Sequence, residues 1–233
     1  MKVGHEEARA AFLAGLDAFV AVAEELSDAD LMAASRCAGW TTGDVVVHVH
    51  LGLQEMLLGL VSATAEGAGG SAVVADADAA GYWRSSPPAA DDADDQLAGM
   101  RFVRLLGAAY RRPSGAVRHL LPTVAGIRTA ATRLPPGAVP FQGHVLTTGD
   151  FLATWAVELA VHHLDLGREL RLPPPAPAAL RLARSTVEAL AGEAAPSSWT
   201  GETVVLLGTG RLRPDAGQRA EAPALTGKLP VLG

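Results

Sequence analysis

Apolar positions along this chain recur at helical rather than strand spacing, and the breaks between runs divide it into a handful of long helices. From about residue 6 to 26, Phe12, Leu16, Phe19, Val20 and Ala23 fall on one side and charged groups on the other, which predicts a first amphipathic helix. Ser27 followed by Asp28-Ala-Asp30 supplies a cap for a short helical turn ending before Cys37-Ala-Gly-Trp40. The next run is ambiguous: Val45-Val-Val-His-Val-His-Leu51 has the β-branched content of a strand, yet it continues through Gln54-Glu-Met-Leu-Leu to about Ala65. Length decides for a helix over 42–65, with Thr42 as its cap and Asp44 in a first turn where the helix dipole favours an acid. Residues 67–90, rich in Gly, Ala, Asp, Ser and Pro, predict a long surface connection outside the core. A third long helix is expected from Asp91 to about Arg111, carrying Leu97, Phe102, Leu105 and Leu106 and stopped by Pro113; the helical stretch over 114–134 is expected to be interrupted at Pro122.

The pattern changes in the helix expected from Thr148 or Asp150 to about Leu170, before Pro173-Pro-Pro175. Leu152, Ala153, Ala156, Val157, Ala160, Val161 and Leu164 surround it, while Thr154, Glu158, His162, Asp165 and Glu169 follow a single polar stripe. A helix apolar on most sides is buried, so its stripe faces an internal cavity, where ionisable groups are costly unless paired or bound to a cation. A last helix is predicted from Ala178 to Ala191. Val204 to Leu207 read as a strand, and the Gly- and Pro-rich remainder as a hairpin-like tail.

Composition sharpens the class. Hydrophobic residues make up 49% and aromatics only 5%, which favours helices packed closely through Ala, Leu and Val. The 233 residues suit one main domain, 1–195, with a short extension over 196–233. A net charge of −6 without a basic run argues against a nucleic-acid partner. The single cysteine, Cys37, excludes an intramolecular disulfide framework and fits a reducing compartment. With no secretory-type leader and no run of about 18 consecutive apolar residues, a cytoplasmic protein off the membrane is expected.

Candidate chemistry centres on Glu158 and His162, which at i and i+4 on a helix stand about 5–6 Å apart and can share one cation. His48 is the best third ligand, and three N/O ligands leave a divalent ion open positions for water or substrate. His48 and His50 would chelate a metal together on a strand, as in barrel hydrolases, but this chain lacks the strand–helix alternation of a barrel. On a helix His50 points away. Asp165, three residues after His162, and Asp44, one turn before His48, are candidate acceptors for orienting a ligand imidazole; Asp44 reads equally as a favourable first-turn acid. Tyr82, Trp83 and Arg84 either cover a ligand or anchor their loop. Cys37 reads as a small packed residue with no evident His partner. Gly208-Thr-Gly-Arg211 reads as a turn with an exposed Arg211, or as an arginine folding over an anionic ligand.

Cys37-Ala-Gly-Trp40-Thr-Thr-Gly-Asp44-Val-Val-Val-His48 together with Glu158-Leu-Ala-Val-His162-His-Leu-Asp165 resembles the mycothiol-dependent maleylpyruvate isomerase family within the DinB-like superfamily. The resemblance implies a DinB-like four-helix bundle, mainly α, here with a short β-containing C-terminal tail. It implies a divalent metal, zinc first, on His48, Glu158 and His162, with mycothiol as thiol cofactor or co-substrate. A zinc-bound thiol is deprotonated at neutral pH, so such a centre supplies a nucleophilic thiolate. The expected activity is thiol transfer to, or thiol-assisted isomerisation of, a small electrophile, and the expectation allows a homodimer. Two other classes remain open: a non-enzymatic bundle binding a ligand or partner, and a hydrolase using zinc-bound water without a thiol.

Overall fold

The computed structural model describes residues 1–66, 74–85 and 93–232. Four helices form the bundle: α1 (His5–Glu25), α3 (Thr42–Glu66), α6 (Ser114–Arg133) and α7 (Thr148–Leu166). α1 packs against α7 and α6, and α3 against the same two from the other side, so the four close a ring around one core. Phe12, Leu16 and Phe19 of α1, Leu53, Met56 and Leu60 of α3, Leu120 and Ile127 of α6, and Phe151 and Leu152 of α7 fill it. The mainly α four-helix bundle read from the sequence is the fold observed.

The ambiguous valine run is helical. Val45, Val46 and Val47 are fully or almost fully buried, and the packing they gain outweighs the modest helix cost of β-branched residues. The cap is Thr41 rather than Thr42: Thr41 N and Oγ1 donate to Asp44 Oδ2, both at 2.9 Å, while Asp44 N donates to Thr41 Oγ1 at 3.1 Å. Asp44 is therefore a capping residue and orients no imidazole. By length and composition Thr42–Val61 could cross a bilayer, with a mean hydropathy of 1.3, but its apolar face belongs to the bundle core. Ser27 caps the short α2 (Asp28–Leu31) in a full capping box, as its sequence suggests.

Several expectations are corrected. α6 runs unbroken through Pro122, because Val117 and Leu120 before it and Val124 and Ile127 after it are buried on one face. Within the predicted 67–90 connection, Gly81–Ser85 forms a short helix, α4, and Ala79, Ala80 and Tyr82 are buried; residues 67–73 and 86–90 lie outside the described residues. The helix predicted from Asp91 is observed over Ala93–Ala109 (α5), Asp91 and Asp92 falling outside the described residues, and Leu97, Phe102 and Leu105 stand exposed on it. α7 ends at Leu166 rather than Leu170, so Glu169 leaves the stripe.

Among the described residues, the β-structure is not in the tail. Ala138–Phe141 (β1) and His144–Thr147 (β2) form an antiparallel hairpin leading into α7, where only a loop had been expected. Its two-residue turn holds Gln142 and Gly143, both at positive φ. Beyond α8 (Pro177–Ala191), the predicted strand is instead helix α9 (Gly201–Gly208), capped by Thr200, and the tail contributes α10 (Ala216–Glu221) and α11 (Pro223–Thr226). Val204 to Leu207 are all buried, and a short apolar run buried on every side has no period to separate helix from strand. α9 packs on α8 and α7 and carries the tail toward the motif helix.

Candidate metal centre

α7 begins at a Thr147 cap and is buried along its whole length except at Glu158. That exception marks where the polar stripe meets a cavity. His162 stands one turn on, its Nε2 3.0 Å from Glu158 Oε2, and the His48 ring from α3 meets it edge-on at 4.7 Å between centroids. Ligand atoms of His48, Glu158 and His162 all come within 4.8 Å of one another. Trp40, from the first motif, lies against the His48 ring at 5.1 Å.

Behind His162 sits a fully buried carboxylate. Asp165 is 0% exposed; its Oδ2 accepts from His162 Nδ1 at 2.9 Å, and Arg211 clamps both oxygens, Nε to Oδ1 at 2.6 Å and Nη2 to Oδ2 at 2.8 Å. Cys37 Sγ donates to the same Oδ2 at 3.2 Å. Two sequence readings are thereby corrected: Arg211 is an inward-turned partner of Asp165 rather than an exposed turn residue, and Cys37 has polar partners. Neither was visible in sequence, because Cys37, Asp165 and Arg211 come from three distant segments. Arg36 bonds the carbonyls of Leu164 and Gly167 at the end of α7.

The charges follow from this packing. Burial, reinforced by the neighbouring His162, lowers the His48 pKa to about 4, so His48 is neutral and keeps a lone pair. Burial would raise the Glu158 carboxyl, but its hydrogen bond to His162 and the nearby positive groups hold it below its ordinary value. Burial opposes charge on His162 too, yet bonds to Asp165, Cys37 and Glu158 raise it well above the usual imidazole value. Asp165 is held far below the carboxylate range: burial pushes it up, and His162 and Arg211 outweigh that.

A cation in place of the His162 proton would meet two imidazole nitrogens and one carboxylate, with Asp165 fixing the His162 ring from behind. The residues therefore fit a divalent ion. Cys37, His162 and Asp165 form a second compact group, but Asp165 there is already saturated by Arg211 and His162. His48, Glu158 and His162 instead border two chambers. The larger, about 520 Å³, is walled by Tyr82, Trp83, Phe141 and Trp155 with Gln142 and Glu55. The smaller, about 190 Å³, is lined on one side by Thr209, Arg211 and Leu232 from the tail. Gly52 permits the larger chamber's wall: a Cβ there would meet Trp155 Cη2 and Cζ3 at 3.2 Å. Trp83 Nε1 and Trp155 Nε1 are buried without a partner among the described residues, an arrangement that typically costs about 1–3 kcal/mol per group.

Of the sequence triplet, Tyr82 and Trp83 line the larger chamber, while Arg84 turns away and donates to the Ala189 carbonyl on α8 at 2.8 Å. His50 bonds Thr123 Oγ1 at 2.9 Å, and His163 bonds the Pro173 carbonyl at 2.8 Å, both buried outside the cluster. Sequence reasoning missed Trp155, although it stands three residues before Glu158, and Gln142, whose flanking strands are too short for their alternation to mark the hairpin.

Fold and site together define a class: a four-helix bundle with a His/Glu/His donor cluster at its centre, opening on two chambers. The chain belongs to the mycothiol maleylpyruvate isomerase N-terminal domain family, whose model matches residues 12–167. Among solved structures it is similar to the mycothiol-dependent maleylpyruvate isomerase (TM-score 0.57) and to a histidine-to-alanine variant of that enzyme (TM-score 0.58), each at 14% identity with 90% of each chain covered. No curated protein matches it.

Proposed function

We propose that this chain is a divalent-metal enzyme that uses mycothiol to transfer a thiol to, or assist isomerisation of, a small electrophile. The observation supporting it most directly is the cluster of His48, Glu158 and His162 within 4.8 Å, backed by buried Asp165 and bordering two chambers. A bound divalent ion, zinc first for this donor set, supplies Lewis acidity and lowers the pKa of a thiol or water it binds.

The chain's own residues do the rest. Asp165 accepts a hydrogen bond from His162 Nδ1–H and so directs Nε2 toward Glu158 and His48. Arg211 neutralises Asp165, which leaves His162 oriented without a net negative charge behind it. His48 stays neutral through burial and presents a lone pair. Aromatic walls in the larger chamber and the tail beside the smaller one flank the cluster with largely apolar surface, while Glu158 stays partly exposed. Two chambers meeting at one cluster suit a reaction in which a thiol and an electrophile approach from different sides. Arg211, placed through Asp165, acts as a positioning residue, and Cys37 joins the same network through Asp165 and His162.

The test is metal analysis of protein purified without chelator, combined with turnover of electrophiles with and without mycothiol. Near-stoichiometric metal that His162→Ala removes, and turnover that needs the thiol, are expected. Absence of metal, with His162→Ala leaving turnover intact, sinks the proposal. Turnover without thiol would favour hydrolysis, and ligand-induced stabilisation without turnover a binding protein.

A further inference from the structure

Another cavity lies between α1 and the segment that follows α7, and it shares no lining residue with the two chambers at the donor cluster. At about 640 Å³ it has the size of a small-molecule site. Ala18, Val22 and Leu26 of α1 form one wall, and Leu172, Pro173 and Pro174 form the other. An apolar body fits between them.

The polar groups of this cavity share one preference. α1 ends on Glu24 and Glu25 with no basic residue in its last turn, although the carbonyl end of a helix favours a cation and disfavours an acid. Glu25 lines the cavity beside that helix end, and so does Asp30 of α2. Among the described residues Glu25 has no ion-pair partner, and the Ser27 bonds to Asp30 both end on Oδ2, which leaves Oδ1 open. Arg171 is the one cation of the described lining, and it pairs with neither acid. Local preferences broken without a partner inside the chain are expected where function requires them.

His163 is an independent sign of the same kind. It lines the cavity and is only 3% exposed. Its Nε2 lies 2.8 Å from the Pro173 carbonyl, which can only accept, so the proton of the neutral ring is on Nε2. Nδ1 is then an acceptor, buried with no donor among the described residues. Acids, helix end and imidazole nitrogen all call for hydrogen-bond donors and positive charge.

We propose that this cavity binds an amphipathic organic cation, its ammonium head at Glu25 and Asp30 beside the end of α1 and its apolar body along Val22, Leu26, Leu172 and Pro173. The site needs neither a metal nor a thiol, so the assignment stands apart from the function proposed above.

The experiment is calorimetric titration of octylamine, protonated at neutral pH, into the full chain, with octanol and octanoate as neutral and anionic probes of the same length. Wild type is compared with Glu25→Gln, which removes the charge, and Ala21→Trp, which fills the cavity from α1. Glu25→Gln takes an acid away from a helix C-terminus and should melt no lower than wild type. Wild type should bind octylamine saturably and more tightly than octanol or octanoate. Octylamine affinity should fall about 2- to 5-fold in Glu25→Gln, the effect of losing one partly solvated charge pair, and binding should be lost in Ala21→Trp. No saturable octylamine binding, octanol or octanoate binding as tightly as octylamine, or unchanged octylamine affinity in either variant overturns the assignment.

Discussion

Replacing Arg211 by methionine removes the guanidinium that clamps both oxygens of Asp165 and leaves a similar aliphatic volume behind. Asp165 is 0% exposed and the Arg211 side chain 16%, so the pair lies in a poorly solvated place where surface screening offers little relief. Removing one partner of a buried ion pair typically costs about 3–5 kcal/mol, because the surviving charge is left uncompensated. His162 and Cys37 still donate to Asp165, so the lower part of that range is expected. In a chain of this size 1 kcal/mol moves the melting temperature by about 2–4 °C, so Arg211→Met should melt roughly 6–15 °C below wild type. Adding Asp165→Asn, which makes the buried group neutral, should recover part of the loss as a coupling energy of about 1.5 kcal/mol or more.

The measurement is thermal and urea unfolding of wild type, both single variants and the double variant, each with chelator and with excess zinc. The chelator series isolates the ion pair from any metal it helps to hold. The zinc series should show about 10- to 100-fold weaker metal binding in Asp165→Asn, the usual effect of removing a ligand's outer partner. If Arg211→Met melted within about 2 °C of wild type in chelator, or the two substitutions were additive, Asp165 would not depend on Arg211 and the positioning role would fall.

Three further outcomes follow from the packing. Burial, followed by the neighbouring His119, lowers the His50 pKa; a depressed histidine contributes stability above its unfolded value near 6.5 that is lost as pH falls through the folded value. His162 is raised and has the opposite sign, so the test is a difference: metal-free His50→Gln, which can keep the Thr123 bond, should lose less stability than wild type between about pH 6.5 and 5 in urea unfolding. Gly52→Ala gains about 1 kcal/mol of helix propensity but brings a Cβ to 3.2 Å from Trp155, and overpacking costs about 1–3 kcal/mol. Its stability should change little while near-UV dichroism shifts and KM for mycothiol rises; an unaltered spectrum and KM would mean that Trp155 does not shape the chamber. Pro122→Ala restores a helical N–H inside α6, so unfolding free energy should rise by roughly 2 kcal/mol after the loss of proline's stiffening of the unfolded chain, and an unchanged or lower melting temperature would refute it.

What could be read from the sequence was local and periodic. The bundle helices and the Glu158–His162 face were legible because a helix repeats its environment every three to four residues, so one buried stripe declares itself in a short window. His48 needed only the further inference that its valine-rich run was helical, which length supplied. Elements without a period were misread: Val204 to Leu207 are buried on every side, and the 138–147 hairpin is too short to show more than one alternation on each strand. Pro122 misled for a different reason, since its cost is local and fixed whereas the burial that overrides it is shared along the helix. The deepest omission was Asp165 as a junction. Its own place on the stripe was visible, but Cys37 and Arg211 reach it from opposite ends of the chain, and nothing in the neighbourhood of either residue indicates a carboxylate. Contacts of that kind depend on how the tail returns over α7, through α8 and α9, which is a property of packing rather than of any segment. The same holds for Gln142. Its side chain is held at the chamber rim by Tyr82 and Glu55, from two other elements, and no residue beside it in the chain indicates either contact.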